Sequence, residues 1–248
     1  GNDPATEVLA AMGPVDYTQY LDTRRAAGMR VGIADMDEAA IEALAAKWAV
    51  WMEEPIDTLR SEIRRDEARM QEQAKTLAAL GIEVVKIPAA AIPPEPPYTQ
   101  VIDYAFRDAL NRFLLGLGDE APVQSLAEIV ALNAQDLHNR APYGQGFLVS
   151  ALNCSMTADQ YAAESAAHQA VRTQVSALFA EYGLDALLSR SYVYAAAGLP
   201  VLSVPAGYDE QGQPYDARLL GNFLGEDRLI TIGCAFEQAT RARKPPRL

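Results

Sequence analysis

A strand, an amphipathic helix and a second strand follow one another in the first third of the chain, and this succession restricts the fold more than any other feature. The first strand is predicted over Met29–Ala34, a short apolar run with β-branched residues. A helix is predicted over Ile56–Leu80, where apolar residues recur at spacings of three, four and seven, and Gly81 ends it. Ile82–Ile87 is the next strand. This order favours parallel pairing, so we expect an α/β protein whose mixed sheet core is covered by helices.

The remainder of the chain adds helices and then more strands. Four prolines within 89–97 predict an extended surface connection, because proline lacks the N–H that helices and central strands need. Capping boxes at Ser125–Glu128 and Thr157–Gln160 each predict the start of a helix, the second of which ends at Gly183. The other predicted elements are a helix over Tyr98–Leu117, strands at Asp185–Leu188, Pro200–Pro205 and Ala217–Gly221, a turn at Asp209–Gly212 that joins two of these strands, and a final helix from Glu226 to Arg241 that Pro245–Pro246 stops.

Charge and hydropathy exclude two classes of partner. The 33 acidic and 21 basic residues give a formal net charge of −12, which repels phosphate backbones and anionic lipid. No apolar stretch reaches the ~20 residues that a membrane-spanning helix requires. We therefore expect no nucleic-acid partner and no membrane role. The two cysteines leave the compartment open, and the cytoplasm is favoured.

Self-contained catalytic motifs are absent from the sequence. There is no G-x-S-x-G, no serine three residues before a lysine, no phosphate-binding glycine loop and no paired metal-ligand spacing, so neither a cofactor nor a metal site is expected. His168 falls on the apolar face of its predicted helix and is interpreted as a core residue. His138 follows a predicted helix, where it can interact with the helix dipole. Cys154 is interpreted as a small core residue, with a nucleophilic thiolate as the alternative.

The last quarter of the chain carries a specific resemblance. Residues 194–214 resemble the A-G-x-P-x-x-[ST]-V-P-x-G-x-x-x-x-G-x-P block near the C-terminus of amidase-signature hydrolases, and residues 220–229 and 235–240 resemble that family's closing strand and helix. Leu126–Asn133 together with Tyr143–Gln145 is similar to the peptide-amidase-like branch. The resemblance implies that residues 1–248 are the C-terminal portion of a single amidase-signature domain.

The family's mechanism uses a serine, a cis-serine and a lysine rather than a histidine. These residues and the oxyanion hole belong to a Gly/Ser-rich N-terminal half, and this sequence contains no such segment. The resemblance therefore implies no catalytic residue in this chain, a small-molecule amide as substrate, and an N-terminal amidase segment or chain as partner. For this part it implies the sheet and a wall of the substrate pocket, with Tyr143, Gln145 and Asn222 as candidate substrate-binding residues.

Two further segments can be compared with the family pattern, one of which differs from it. Between Leu188 and Tyr194 the family carries a longer loop that helps form the substrate pocket, so this connection is either shortened or interrupted by a mobile segment. Gly1–Thr6 is predicted to be a loop and resembles the loop that follows the catalytic half.

Two other functions remain open at this point. The chain could be a non-catalytic binding or scaffold protein that keeps the amidase-like fold, or a self-contained hydrolase that depends on Cys154.

Overall fold

The computed structural model describes residues 13–96, 98–118 and 121–245, which divide into two compact units. The sheet unit comprises residues up to 94 together with those from 172 onward. The helical unit comprises residues 95–171. The loop predicted at Gly1–Thr6 lies outside the described residues.

The sheet unit is built on five strands in the order β2-β1-β3-β5-β4. The strands are β1 (Arg30–Asp35), β2 (Glu83–Pro88), β3 (Ala186–Leu188), β4 (Val201–Tyr208) and β5 (Pro214–Leu220). β1 pairs in parallel with both β2 and β3, whereas β5 is antiparallel to β3 and β4. The turn at Asp209–Gly212 joins β4 to β5, with the Gly212 N–H bonded to the Asp209 carbonyl oxygen at 3.0 Å. The predicted mixed sheet, including its parallel β1–β2 pair, is confirmed.

Helices account for most of the remaining described chain. In chain order they are α1 (Glu38–Met52), α2 (Ile56–Ala79), α3 (Thr99–Gly116), α4 (Leu126–Ala134), α5 (Leu137–Arg140), α6 (Gly146–Leu152), α7 (Ala158–Tyr182) and α8 (Glu226–Thr240). The periodicity over Ile56–Leu80 thus predicted α2 to within one residue. None of the helices in the described ranges is both long and apolar enough to cross a bilayer.

The main core of the sheet unit lies where α2 and α8 meet the sheet. Its members are buried apolar side chains from the strands and from both helices: Val31, Ile33, Leu188 and Leu219 from the strands, Met70, Ala74 and Leu77 from α2, and Leu229, Ile232 and Phe236 from α8. The spacings within α2 and α8 are three and four residues, which place these side chains on one helical face. Gly233 lets α8 approach β4, because a Cβ at this position would lie 2.6 Å from Leu202 Cδ2.

The helical unit has its own buried residues. Val101 and Leu114 of α3, Leu126 of α4 and Ala151 of α6 are each at most 8% exposed. Asn111 fixes the start of α4, since its Oδ1 accepts from the Leu126 N–H at 2.9 Å.

The expectation about the proline-rich connection is wrong in part, whereas the predicted end of the last helix is correct to within one residue but has a different cause. The proline-rich segment is not wholly extended on the surface: Ala89–Ala91 form a 3₁₀ turn, and Pro93 is buried with its carbonyl oxygen accepting from the Tyr194 hydroxyl at 2.5 Å. This tertiary hydrogen bond holds Pro93 inward. The last helix ends at Thr240, before Pro245, because Arg241 adopts a left-handed conformation with φ 45°.

Candidate functional site

Two of the three candidate substrate-binding residues, Tyr143 and Gln145, lie before α6 in the helical unit. The Tyr143 ring is fully exposed within the described structure. Gln145 Nε2 donates to the Val130 carbonyl oxygen at 3.3 Å, which orients the side chain. Gln145 Oε1 is buried and has no hydrogen-bond partner among the described residues. A buried acceptor without a donor is unfavourable by roughly 1–3 kcal/mol, so the described residues leave one hydrogen bond of Gln145 unsatisfied.

Asn222, the third candidate, follows β5 in the sheet unit and is engaged by its own surroundings. Its Oδ1 accepts from the Ser176 hydroxyl at 2.7 Å and from the Phe223 N–H at 2.8 Å. These bonds tie the loop between β5 and α8 to helix α7. The side-chain oxygen of Asn222 therefore has a structural function in the described chain, whatever its amide nitrogen binds.

The glycine turn before β4, within the family-like block, is held by Arg172. Arg172 Nε donates to the Ala197 carbonyl oxygen at 2.8 Å, and its guanidinium lies 4.6 Å from the Phe223 ring centroid. Gly198 has φ 75°, and a Cβ there would collide with the Arg172 guanidinium. Only glycine adopts this conformation readily and leaves the required space.

The connection after β3, which the resemblance associates with the substrate pocket, is a short turn. The Ser189 N–H donates to the Arg218 carbonyl oxygen of β5 at 2.8 Å. The Ser189 hydroxyl donates to the Ser191 carbonyl oxygen at 3.0 Å, and the Ser191 hydroxyl accepts from the Val193 N–H at 3.0 Å. The Ser189 and Ser191 side chains thus supply hydrogen bonds that stabilise this short turn.

A cleft of about 130 Å³ lies beside this turn, and we call it the arginine cleft. Its polar lining includes Asp66, Arg69 and Gln73 from α2, Ser189 and Arg190 from the turn, and Asp216 and Arg218 from β5, with Trp48, Met70 and Tyr215 completing it. Three guanidinium groups from three different elements therefore meet at one small cleft.

Ion pairs hold the turn against α2 and β5. Arg190 Nη2 pairs with the Glu67 carboxylate, and the two side chains are each only 14% exposed. Arg218 bonds Asp216 through Nε and Nη2 at 3.2 and 3.1 Å, and its Nη1 donates to the Arg190 carbonyl oxygen at 2.5 Å. Burial lowers the pKa of Arg190, an effect that the negative charge of Asp66 opposes. Arg190 Nε is buried and lacks an acceptor among the described residues.

Sequence reasoning missed this network. Arg190 is the only charged residue between Leu188 and Tyr194, and Asp216 and Arg218 alternate on one side of β5, so both signals were present. Glu67 could not be identified from the sequence, because nothing distinguishes it from neighbouring charged residues of α2 such as Arg65 and Asp66.

The histidines and cysteines do not assemble into an alternative catalytic centre. His168 is 9% exposed, which confirms its interpretation as a buried residue. Cys154 is half-buried, and its thiol lies 3.7 Å from the Gln100 carbonyl oxygen, a group that cannot act as a general base. Over the described ranges, no three His, Cys, Asp or Glu side chains are grouped so that they could hold a metal ion.

Comparison with known proteins gives a consistent set of relatives. No family model matches the sequence. A probable amidase of Arabidopsis thaliana is 36% identical over 149 residues, which cover 57% of this chain and 29% of the relative. One subunit of the glutamyl-tRNA(Gln) amidotransferase of Nostoc punctiforme is 53% identical over 51 residues, or 20% of this chain and 10% of the relative.

Several solved amidase structures match the chain over its entire length. An amidase family protein of Bacillus anthracis has a TM-score of 0.73 and 25% identity, and the match covers 46% of that protein. The peptide amidase of Stenotrophomonas maltophilia has a TM-score of 0.68 and 27% identity, with 50% of it covered. The chain thus spans about half the length of these structures, and the match to the Arabidopsis relative spans under a third of that protein.

Proposed function

We propose, from the premise that the chain is a partial amidase-signature domain, that it is the C-terminal part of an amide hydrolase. The observation that carries the proposal is the match of the entire chain to about half of a peptide amidase. The serine, cis-serine and lysine of the mechanism come from an N-terminal segment or chain that this sequence does not include. This part supplies strands of the sheet and one wall of the substrate pocket.

In this proposal the substrate is a small molecule with an amide bond other than a peptide backbone bond. The serine of the N-terminal segment attacks the amide carbonyl and forms an acyl-enzyme, the amine or ammonia leaves with a proton, and water releases the carboxylic acid. The contribution of this chain is to orient the amide rather than to transfer protons. Tyr143, Gln145 and Asn222 are the proposed contacts, and the unpartnered Gln145 Oε1 supports a role in accepting the substrate N–H.

A serine-reactive fluorophosphonate probe tests the proposal. By the natural-length protein we mean this chain together with the proposed N-terminal segment. We expect it to be labelled covalently at a serine outside residues 1–248, and the 248-residue chain alone to remain unlabelled. An unlabelled natural-length protein would favour the scaffold alternative. Labelling of the 248-residue chain itself would show that the nucleophilic serine lies within residues 1–248, which would contradict the proposal.

The pocket assignment has its own test in the natural-length enzyme. Gln145→Ala should lower kcat/KM for an amide substrate by about tenfold, the effect of one lost hydrogen bond in the transition-state complex. Asn139→Ala is a suitable control, because Asn139 is exposed and bonds only Asp136 in the described structure. An unchanged kcat/KM in Gln145→Ala would remove this residue from the pocket.

A further inference from the structure

The arginine cleft has more hydrogen-bond donors than the chain uses. Arg218 makes three hydrogen bonds, two to Asp216 and one to the Arg190 carbonyl oxygen. Arg69, by contrast, has one long hydrogen bond to the residues that the structure describes, from Nη1 to Asp66 at 3.3 Å. Its guanidinium stacks on Tyr215 with its central carbon 4.4 Å from the ring centroid. Stacking occupies the face of a guanidinium and leaves its in-plane N–H groups free to bind oxygen.

Arg190 is the second donor with unused capacity. It shares the cleft with Arg69, and its Nε has no acceptor among the described residues. Glu67 pairs with Nη2 of Arg190, and burial lowers the pKa of Arg190. An anion in the cleft would lie within reach of the electrostatic field of this buried cation.

The carboxylates of the cleft are less available than the arginines. Of the two carboxylates that line the cleft, Asp216 accepts two bonds from Arg218, and Asp66 accepts one long bond from Arg69 at 3.3 Å. The lining therefore contains three arginines and two acids, so a ligand that enters the cleft meets a formal excess of one positive charge. Trp48 and Met70 add an apolar surface to the same cleft.

We infer that the arginine cleft is a binding site for a small aliphatic carboxylate, whose oxygens bind Arg69 and Arg190 and whose hydrocarbon end lies against Trp48 and Met70. The volume of about 130 Å³ is below the roughly 300–1,000 Å³ of pockets for drug-sized ligands, which restricts the occupant to a short acid. The two arginines come from α2 and from the turn after β3, so binding would also fasten that turn to the helix. The inference does not rest on the proposed amidase activity, because it concerns binding alone.

Isothermal titration of the natural-length protein with butyrate, at constant ionic strength, tests this site. Butyrate should bind with one site per chain. Butyramide and butylammonium, which match it in size but lack the negative charge, should bind at least tenfold more weakly. Equal affinity for butyrate and butyramide would overturn the assignment to a carboxylate, as would the absence of saturable binding of butyrate.

Two variants locate the site. Arg69→Gln should weaken butyrate binding by about tenfold to a hundredfold, the range for one lost charge-assisted hydrogen bond. Arg65→Gln is the matched control, because Arg65 lies on the same helix, is 58% exposed and does not line the cleft. Its affinity for butyrate should equal that of the unmodified protein. If Arg69→Gln and Arg65→Gln bind butyrate alike, the ligand is elsewhere.

Arg190 requires a paired substitution, since Arg190→Gln alone would leave Glu67 buried without its counter-ion. The double variant Glu67→Gln/Arg190→Gln removes both charges together, and circular dichroism establishes that it is folded. We expect it to lose butyrate binding by at least tenfold. Retention of full affinity in the folded double variant would exclude Arg190 from the site.

Discussion

At the scale of single residues, the turn before β4 depends on a glycine whose conformation and surroundings both reject a side chain. Gly198 has a positive φ and lies against the Arg172 guanidinium, which is itself fixed by the Ala197 carbonyl oxygen and the Phe223 ring. A Cβ at this position would strain the backbone and displace an arginine that two contacts hold. Gly212 has a similar φ of 78° but no atom within 4 Å of the Cβ position.

These two glycines separate the effect of strain from that of crowding. Gly212→Ala should lower the free energy of unfolding by about 1 kcal/mol, the penalty of a left-handed alanine. Gly198→Ala should lower it by at least about 1 kcal/mol more, because crowding adds to the same strain. Urea denaturation of both variants measures the difference. Equal losses would mean that Arg172 moves aside freely.

Residue-level prediction from sequence succeeded where the required property was local. The left-handed conformations of Gly81 and Gly183 were expected from their place after an amphipathic helix, and both have positive φ. The pairing of Glu67 with Arg190 could not be predicted, because the two residues are 123 positions apart and nothing in either segment specifies the other. The functions of Tyr143, Gln145 and Asn222 stay predictions.

At the scale of elements, the two predicted capping boxes differ in how completely they form. At the start of α7, Thr157 Oγ1 accepts from the Gln160 N–H at 3.2 Å, and Gln160 Oε1 accepts from the Thr157 N–H at 2.8 Å. At α4, Ser125 Oγ accepts from the Glu128 N–H at 3.2 Å, but the Glu128 carboxylate accepts from the Gln124 N–H instead of from Ser125. Both helices begin where these boxes predicted.

The box at Thr157 allows a quantitative test of this start signal. Thr157→Ala should destabilise the chain by about 1 kcal/mol, because it leaves a helix N–H without its acceptor. Thr157→Ser retains the hydroxyl and should be within a few tenths of a kcal/mol of the original. Amide hydrogen exchange in the first turn of α7 provides the local measurement. Equal exchange rates in the alanine and serine variants would contradict the assignment of the cap.

Element boundaries were predicted less well where tertiary contacts decide them. β4 continues to Tyr208, beyond the predicted Pro205, because β5 pairs with it across a register shift between Pro205 and Gly207. The strand ends are thus determined by the partner strand, which local hydropathy does not encode. The fold class was still predictable, because the strand–helix–strand order over residues 29–87 and the later strands after residue 185 are visible in the sequence.

At the scale of the whole molecule, each unit leaves apolar or backbone groups uncovered in the described structure. In the helical unit, Phe113, Leu115 and Phe147 are 63%, 64% and 87% exposed. In the sheet unit, β4 is an edge strand with no neighbour on its outer side among the described strands. Exposed apolar side chains and free strand edges promote association between molecules.

We expect the 248-residue chain, produced alone, to associate and aggregate, whereas its assembly with the proposed N-terminal amidase segment should be monodisperse. Size-exclusion chromatography with light scattering distinguishes the two. Phe113→Ser combined with Phe147→Ser should reduce association of the short chain, because it removes two strongly exposed phenylalanines of the helical unit. A short chain that is monomeric and unfolds cooperatively would argue against the missing N-terminal part.

The position of β3 in the sheet has a consequence for the order of folding. This three-residue strand joins the parallel pair β1–β2 to the antiparallel hairpin β4–β5, and it pairs Val31 with Ala186. The β4–β5 hairpin closes over the short connection 209–213 and can form quickly, whereas β1 and β3 meet only by closing a long loop, as the 155-residue separation of Arg30 and Asp185 shows. The β4–β5 hairpin should therefore form early, and β3 should join β1 late. The parallel and the antiparallel parts of the sheet should thus associate last, and they do so through β3, the shortest of the five strands.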